Sequence, residues 1–222
     1  MFGSTSPSRS TESAAEADSL RCVTAALTIE YWADYLCPWC YLAQDRVRYF
    51  EERHGATMVW HPFELHPETP PEGGPAPNLR RSSGASRWLR DELEAAGLPV
   101  MRRVTWSNTR RALALSVWAR RLPRWADLHR LLYDAYWSQG ADLGDPAVLI
   151  RIADRAGIDP QAAAAALAEG AGLVDVAAEQ ERALDLGIGN TPGWYLGDGV
   201  AFTGVHDEAV FDRVVARRTE RS

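Results

Sequence analysis

The residues of this chain with the clearest chemistry are Cys37, Pro38, Trp39 and Cys40, a C-P-W-C run. Two thiols at i and i+3 on a helix lie on one face. A thiolate at the first can attack a disulfide, and the second can then attack the mixed disulfide that results. A helix N-terminus suits the first thiol, because unpaired N–H groups and the helix dipole favour thiolate over thiol. Pro38 fits such a start, since the first helical position loses nothing by lacking an N–H. Cys37 is then the expected nucleophile and Cys40 the resolving thiol, less exposed and less acidic than Cys37. Two other uses of the pair stay open. A zinc site takes about four ligands, usually a second C-x-x-C or paired histidines. His54, His61, His66, His129 and His206 are scattered, so no metal is expected. A buried pair with no chemistry is the third use, and it leaves the helix start without a role.

The flanking sequence supplies elements to place the pair. Ala25–Trp32 ends in a β-branched and aromatic stretch and reads as a strand. Tyr41, Leu42, Val47, Tyr49 and Phe50 follow helical spacing to about Arg53, and Gly55 closes that helix. Thr57–Leu65 is a second strand, which Pro62 ends or moves to an edge. Residues 68–78 are rich in Pro and Gly and read as a loop. From about Ser83 to Leu186 the pattern is helical. It includes Arg87–Ala96, a helix that Asn108 caps and that runs to Arg121, and Trp125–Trp137, with Asp145-Pro146 and Asp159-Pro160 as N-cap and first helical residue of two more. Gly193–Leu196, Gly197-Asp198-Gly199 and Val200–Thr203 read as a hairpin, followed by a terminal helix around Val210–Val215. The order is βαβ, a helical block, then ββα. The few strands must share one sheet, so the class is α/β with a large all-helical insertion. Residues 23–66 and 187–219 are expected to form the α/β domain and residues 67–186 the insertion. Residues 1–22 are expected to be a disordered tail.

Composition narrows the function. The 222 residues carry a net charge of −6, and all 24 basic residues are Arg. An acidic chain is poorly matched to nucleic acid, and one without Lys can form neither a Schiff base nor a P-loop. No apolar run approaches the roughly 18 residues of a membrane span, and the N-terminal stretch has no apolar core of the kind a secretory signal needs. The three cysteines are an odd count, unlike a secreted disulfide scaffold. A cytosolic location is expected, with Cys22 idle, because structural disulfides are rare there.

Several segments resemble the DsbA-like branch of the thioredoxin superfamily, in particular its FrnE-type cytosolic members. They are Asp34–Leu42 around C-P-W-C, Pro62-Phe63-Glu64-Leu65-His66-Pro67, Asn108-Thr109 with Ala112, and Ala183–Pro192. The resemblance spans roughly Thr28–Val215. It implies a thioredoxin fold with a helical insertion and thiol–disulfide oxidoreductase activity on protein or small-molecule substrates. The electrons pass through the cysteines, so no cofactor is implied, and an external thiol reductant must recycle the dithiol. By the same resemblance Cys37 is the nucleophile, Cys40 the resolving cysteine and Pro192 a cis-proline, with the backbone of Thr191 aligning the substrate. The family usually has Gly-Val-Pro, whereas this chain has Thr191-Pro192-Gly193-Trp194; it commonly has Asn where this chain has His66. Trp39 replaces the His of many such oxidants and brings no charge, so a less acidic Cys37 and a less oxidising disulfide are expected than in those proteins.

Around the pair, Pro38, Trp39, Thr191, Pro192 and Trp194 are the expected substrate-binding residues. Trp39 and Trp194 are expected to rim an apolar groove, while Trp32 and Tyr195 suit ordinary packing. Asp34 and Glu64 are acids near strand ends, and a carboxylate beside Cys40 can move its proton. Arg102, Arg103, Arg110 and Arg111 suit either a solvated helix face or an anionic thiol ligand. Two rival functions follow: a small-molecule isomerase or transferase of the kappa-class glutathione transferase type, and a non-enzymatic binding module.

Overall fold

The computed structural model describes residues 27–75, 84–100 and 105–219. Residues 1–22, with Cys22, and Arg102 and Arg103 lie outside the described residues. The elements run β1 (Thr28–Ala33), α1 (Pro38–His54), β2 (Thr57–Pro62), β3 (Gly74–Pro75), α2 (Gly84–Ala95), β4 (Thr105–Trp106), α3 (Arg110–Ala119), α4 (Trp125–Trp137), α5 (Pro146–Arg155), α6 (Pro160–Glu169), α7 (Leu173–Asp185), β5 (Gly193–Tyr195), β6 (Ala201–Thr203) and α8 (Glu208–Thr219).

One sheet has the order β2-β1-β5-β6. β1 and β2 are parallel, with Tyr31 opposite Trp60; β5 runs antiparallel to β1, and β6 antiparallel to β5. Side chains alternate across such a sheet. Ile29, Tyr31 and Ala33 share a core with Phe50 of α1 and Phe211 of α8, whereas Trp32 faces Ala183 of α7 and Ile188. α1 and α8 therefore cover one face and α7 part of the other. That arrangement explains why Ile29, Tyr31, Trp32 and Ala33 are all buried although they point to opposite faces.

The expected βαβ and ββα halves are both present, with α2–α7 between β2 and β5. Local chemistry sets the helix ends. Asp145 Oδ1 accepts from Ala147 N at 2.8 Å and Asp159 Oδ1 from Gln161 N at 2.9 Å, each with proline at the first helical position. Gly55 ends α1 with φ +60°, a conformation that suits glycine. The expected caps, Asp145 and Asp159, thus do the work the sequence gives them, each satisfying one orphan N–H.

The insertion is not wholly helical. β3 and β4 form a two-residue antiparallel ribbon within the stretch read as loop and helix. Two residues are too few to carry a strand period, so no sequence pattern marks them. β2 ends at Pro62 and lies at the sheet edge, both of which the proline leads one to expect. The helix that Asn108 is expected to cap begins at Arg110, with Thr109 at the N-cap position. Asn108 Oδ1 still accepts from Arg110 N at 3.1 Å, so the side chain caps from one position further out.

Candidate active site

Cys37 sits between β1 and α1, at the N-cap of a 17-residue helix. Its φ and ψ are −80° and 118°, extended backbone, and its carbonyl accepts from Cys40 N and Tyr41 N, each at 3.1 Å. Pro38 occupies the first helical turn, and Cys40 follows on the same side of the helix. The two thiols are unjoined. Across from them, the Thr191–Pro192 peptide is cis, and Thr191 O lies 3.6 Å from Cys37 Sγ. The structure thus brings Cys37, Pro38, Cys40, Thr191 and Pro192 together, although about 150 residues separate the two segments.

Cys37 is 1% exposed and Cys40 0%. Cys40 is expected to be the less exposed thiol, but Cys37 is buried as well, which counts against direct attack in this state. Attack at its sulfur requires neighbouring side chains to part first. Burial alone opposes ionisation of both thiols, yet the two move in opposite directions. At Cys37 burial is outweighed by hydrogen bonds from the Cys40 thiol, from Thr191 and from Cys40 N–H, and its pKa falls below the ordinary cysteine value. Thr191 Oγ1 is buried and unpartnered beside the protonated thiol; ionised Cys37 gives that hydroxyl an acceptor. At Cys40 burial and the neighbouring Cys37 raise the pKa well above that value. One dithiol therefore holds an acidic and a reluctant member.

Asp34 is the acid that meets the site. It is fully buried, and its carboxylate accepts from Leu36 N at 3.3 Å, Leu65 N at 2.7 Å and Thr109 Oγ1 at 2.7 Å. Its carbonyl accepts from Cys37 N at 3.3 Å. Burial pushes its pKa up to about 6 against those three hydrogen bonds. Glu64, the other candidate, is paired with Arg110 Nε at 3.0 Å instead.

The insertion holds the same turn from the far side. Tyr133 OH lies 3.4 Å from Asp34 O, and Trp137 Nε1 donates to Tyr35 O at 2.9 Å. Tyr35 OH reaches Ser116 Oγ at 2.8 Å and His129 Nδ1 at 2.9 Å. Burial and the Arg120 charge push His129 down to about 3, so it is neutral. Sequence reasoning missed Tyr133, Trp137 and Ser116 as supports. Nothing in their spacing sets them apart from ordinary apolar helix faces.

Trp194 does not rim a groove. It is fully buried in β5, stacked on Tyr31 and packed on Phe50 and Phe211, with Nε1 donating to Gly204 O at 2.8 Å. The strand's alternation puts its side chain inside the sheet's α1 face, which its sequence position beside Pro192 does not reveal. Trp39 is half-buried and stacks on Trp88 of α2, with ring centroids 5.8 Å apart. Trp32 is buried, as packing requires, and Tyr195 half-buried. Among the described residues no group of His, Cys, Asp and Glu is placed to hold a metal ion.

A βαβ–ββα sheet with a vicinal pair of helix-start thiols facing the residue before a cis-proline defines the thioredoxin-fold class. Within it, residues 28–216 match the DsbA-like thioredoxin domain, and the chain belongs to that family. No curated protein matches the sequence. Among solved structures, a probable DsbA oxidoreductase of Streptomyces coelicolor is similar at 24% identity and a TM-score of 0.75, covering 86% of this chain and 89% of its own. A 2-hydroxychromene-2-carboxylate isomerase is similar at 18% identity and a TM-score of 0.67, covering 88% of this chain and 100% of its own. The cytosolic disulfide reductase DsbM of Pseudomonas aeruginosa, solved with GSH, is similar at 19% identity and a TM-score of 0.59, covering 87% and 98%. These likenesses share the fold with this chain. Among the described residues no helix is long and apolar enough to cross a membrane.

Proposed function

We propose that the chain is a thiol–disulfide oxidoreductase of the FrnE-type branch, acting in the cytosol. The observation that carries this reading is the placement of the two thiols, with Cys37 at the N-cap of α1, Cys40 one turn on, and the carbonyl before the cis Pro192 at 3.6 Å from Cys37 Sγ, a setting that favours the thiolate at Cys37 over that at Cys40. Once the side chains over it part, Cys37 thiolate attacks one sulfur of a substrate disulfide. A mixed disulfide forms, and the other substrate sulfur leaves as a thiolate. Cys40 then loses its proton and attacks Cys37 Sγ, releasing the second substrate thiol and leaving a Cys37–Cys40 disulfide. An external thiol returns the pair to the dithiol state. The carbonyl of Thr191, facing Cys37 Sγ, and Pro192 border the place where an extended substrate backbone would lie, with Pro38 and Trp39 on the other side.

The expected outcome of Cys40→Ser is accumulation of a mixed disulfide at Cys37, seen by intact-protein mass spectrometry, with turnover lost. Cys37→Ala should abolish both. The isomerase neighbour supplies a second reading, in which a bound thiol cofactor acts on a small molecule. The presence of Cys40 argues against it. Full turnover of a small substrate by Cys40→Ser would select that second reading.

A further inference from the structure

A cleft of about 390 Å³ lies between α7 and the chain that leaves β2, bridged at Gln180, whose Oε1 accepts from Glu64 N at 2.9 Å, and the dithiol chemistry does not use it. Glu64, Pro67 and Arg110 line one side. On the other, α7 presents Leu173, Ala177, Gln180 and Leu184, spaced i, i+4, i+7 and i+11, so a single stripe of the helix faces the cleft. Leu173 and Leu184 are 38% and 56% exposed. Helical rise makes the stripe about 16 Å long. That is the reach of about five residues of extended chain, more than a compact metabolite covers.

The polar side is incomplete. Glu64 is 7% exposed, and Arg110 Nε donates to its Oε2 at 3.0 Å, yet its Oε1 is buried with no hydrogen-bond partner. A buried carboxylate oxygen without a donor is costly. Arg110 covers that carboxylate with a side chain 47% exposed, and its Nη2 also donates to Pro67 O at 3.4 Å, so turning outward gives up both bonds to solvent. Glu181 adds a second carboxylate, so the charged lining of two acids and one guanidinium is net negative.

We propose that this cleft binds an extended segment of a protein substrate in which aliphatic side chains flank a lysine or arginine. The aliphatic groups lie on Leu173, Ala177 and Leu184. The cationic head enters beside Arg110, which swings toward solvent, and donates to Glu64 Oε1. The proposal rests on the oxidoreductase reading and names the substrates it selects. Cleft and dithiol share a support: Leu65 and Thr109, next in sequence to Glu64 and Arg110, both donate to Asp34, three residues before Cys37. A seated segment therefore bears on the turn that carries the nucleophile.

The test is NMR titration of the full chain with a blocked five-residue peptide lacking cysteine, leucine-lysine-leucine between two alanines. Saturable shifts at the Gln180 side-chain amide and the α7 amides are expected. Glu64→Gln and Leu184→Glu should each weaken binding at least about tenfold, roughly 1.4 kcal/mol. A peptide with glutamate for lysine should bind as weakly. Should Glu64→Gln fail to fold, the exposed Leu184 variant decides. Absence of saturable shifts, shifts confined to other surfaces, equal binding of the glutamate peptide, or equally tight binding of hexylammonium alone would each overturn the proposal. Thiol exchange without peptide binding removes this inference and leaves the oxidoreductase reading; peptide binding without exchange does the reverse.

Discussion

Cys37 and Cys40 have the same covalent chemistry and nearly the same burial, so their opposite acidities come from what points at each sulfur. The expected consequence is a Cys37 thiolate that titrates below the roughly 8.5 of a free cysteine. Ultraviolet absorbance of the thiolate against pH, compared with Cys37→Ala, measures it; a midpoint at or above the free value contradicts the site geometry. The sign for stability follows. A thiol whose folded pKa is depressed adds stability above its unfolded pKa, and that contribution is lost as pH falls through the folded value. Asp34 runs the other way. Its folded pKa of about 6 exceeds the ordinary carboxylate value, so the folded state binds the extra proton. Stability should fall as pH rises from about 4 to 6, by roughly 3 kcal/mol for a shift near two units. Urea denaturation across that range should show the slope in the native sequence and lose it in Asp34→Asn. At this scale the C-P-W-C pair and Pro192 are legible because their chemistry is tied to residue type. The burial of Asp34 is not legible, since an acid near a strand end is ordinarily solvated. Trp194 misleads for a related reason: proximity in sequence to Pro192 says nothing of which sheet face its ring occupies.

The inserted helices act as a clamp on the turn before α1. Thr109 at the start of α3, with Tyr133 and Trp137 in α4, reaches Asp34 and Tyr35 by hydrogen bonds. α3 in turn packs closely on the start of α7. Gly172, with φ +84°, lies so near α3 that a Cβ there would stand 2.4 Å from Ala114 O. Both the backbone angle and the contact exclude a side chain. Gly172→Ala should therefore lower stability by at least about 2 kcal/mol, combining left-handed strain with the displacement of a packed helix. A drop in the urea midpoint with an unchanged slope is the expected record; an unchanged midpoint would show that α7 can move away from α3 at little cost. The existence of α4, α5 and α6 is readable from apolar spacing and Asp-Pro starts. The β3–β4 ribbon and the close α3–α7 approach are not, because both depend on pairings between distant segments.

Across the molecule, α7 ties the insertion back to the sheet. Glu179 of α7 meets His61 of β2 and Arg120 after α3, while Arg182 pairs with Glu30 of β1 at 2.7 Å. Burial raises the Glu179 pKa, but His61 and Arg120 overcome it and hold the carboxyl at about 2. These charges sit on the sheet face opposite α1, where alternation puts Glu30 and His61 beside Trp32. The βαβ–helices–ββα order was written in periodicity and turn residues, whereas this charged seam required the fold to assemble it. The central claim is that Cys37 and Cys40 exchange electrons as one redox pair. Redox titration of the native full chain in a defined thiol–disulfide buffer, read by thiol labelling and mass spectrometry, tests it most directly. The account predicts one two-electron transition, a loss of two protons on oxidation below the Cys37 pKa and of one above it, a disulfide mapped to Cys37 and Cys40, and no such transition in Cys40→Ser. A pair that stays reduced and unlabelled in the folded chain at every buffer ratio, or a disulfide that recruits Cys22 instead, would contradict it.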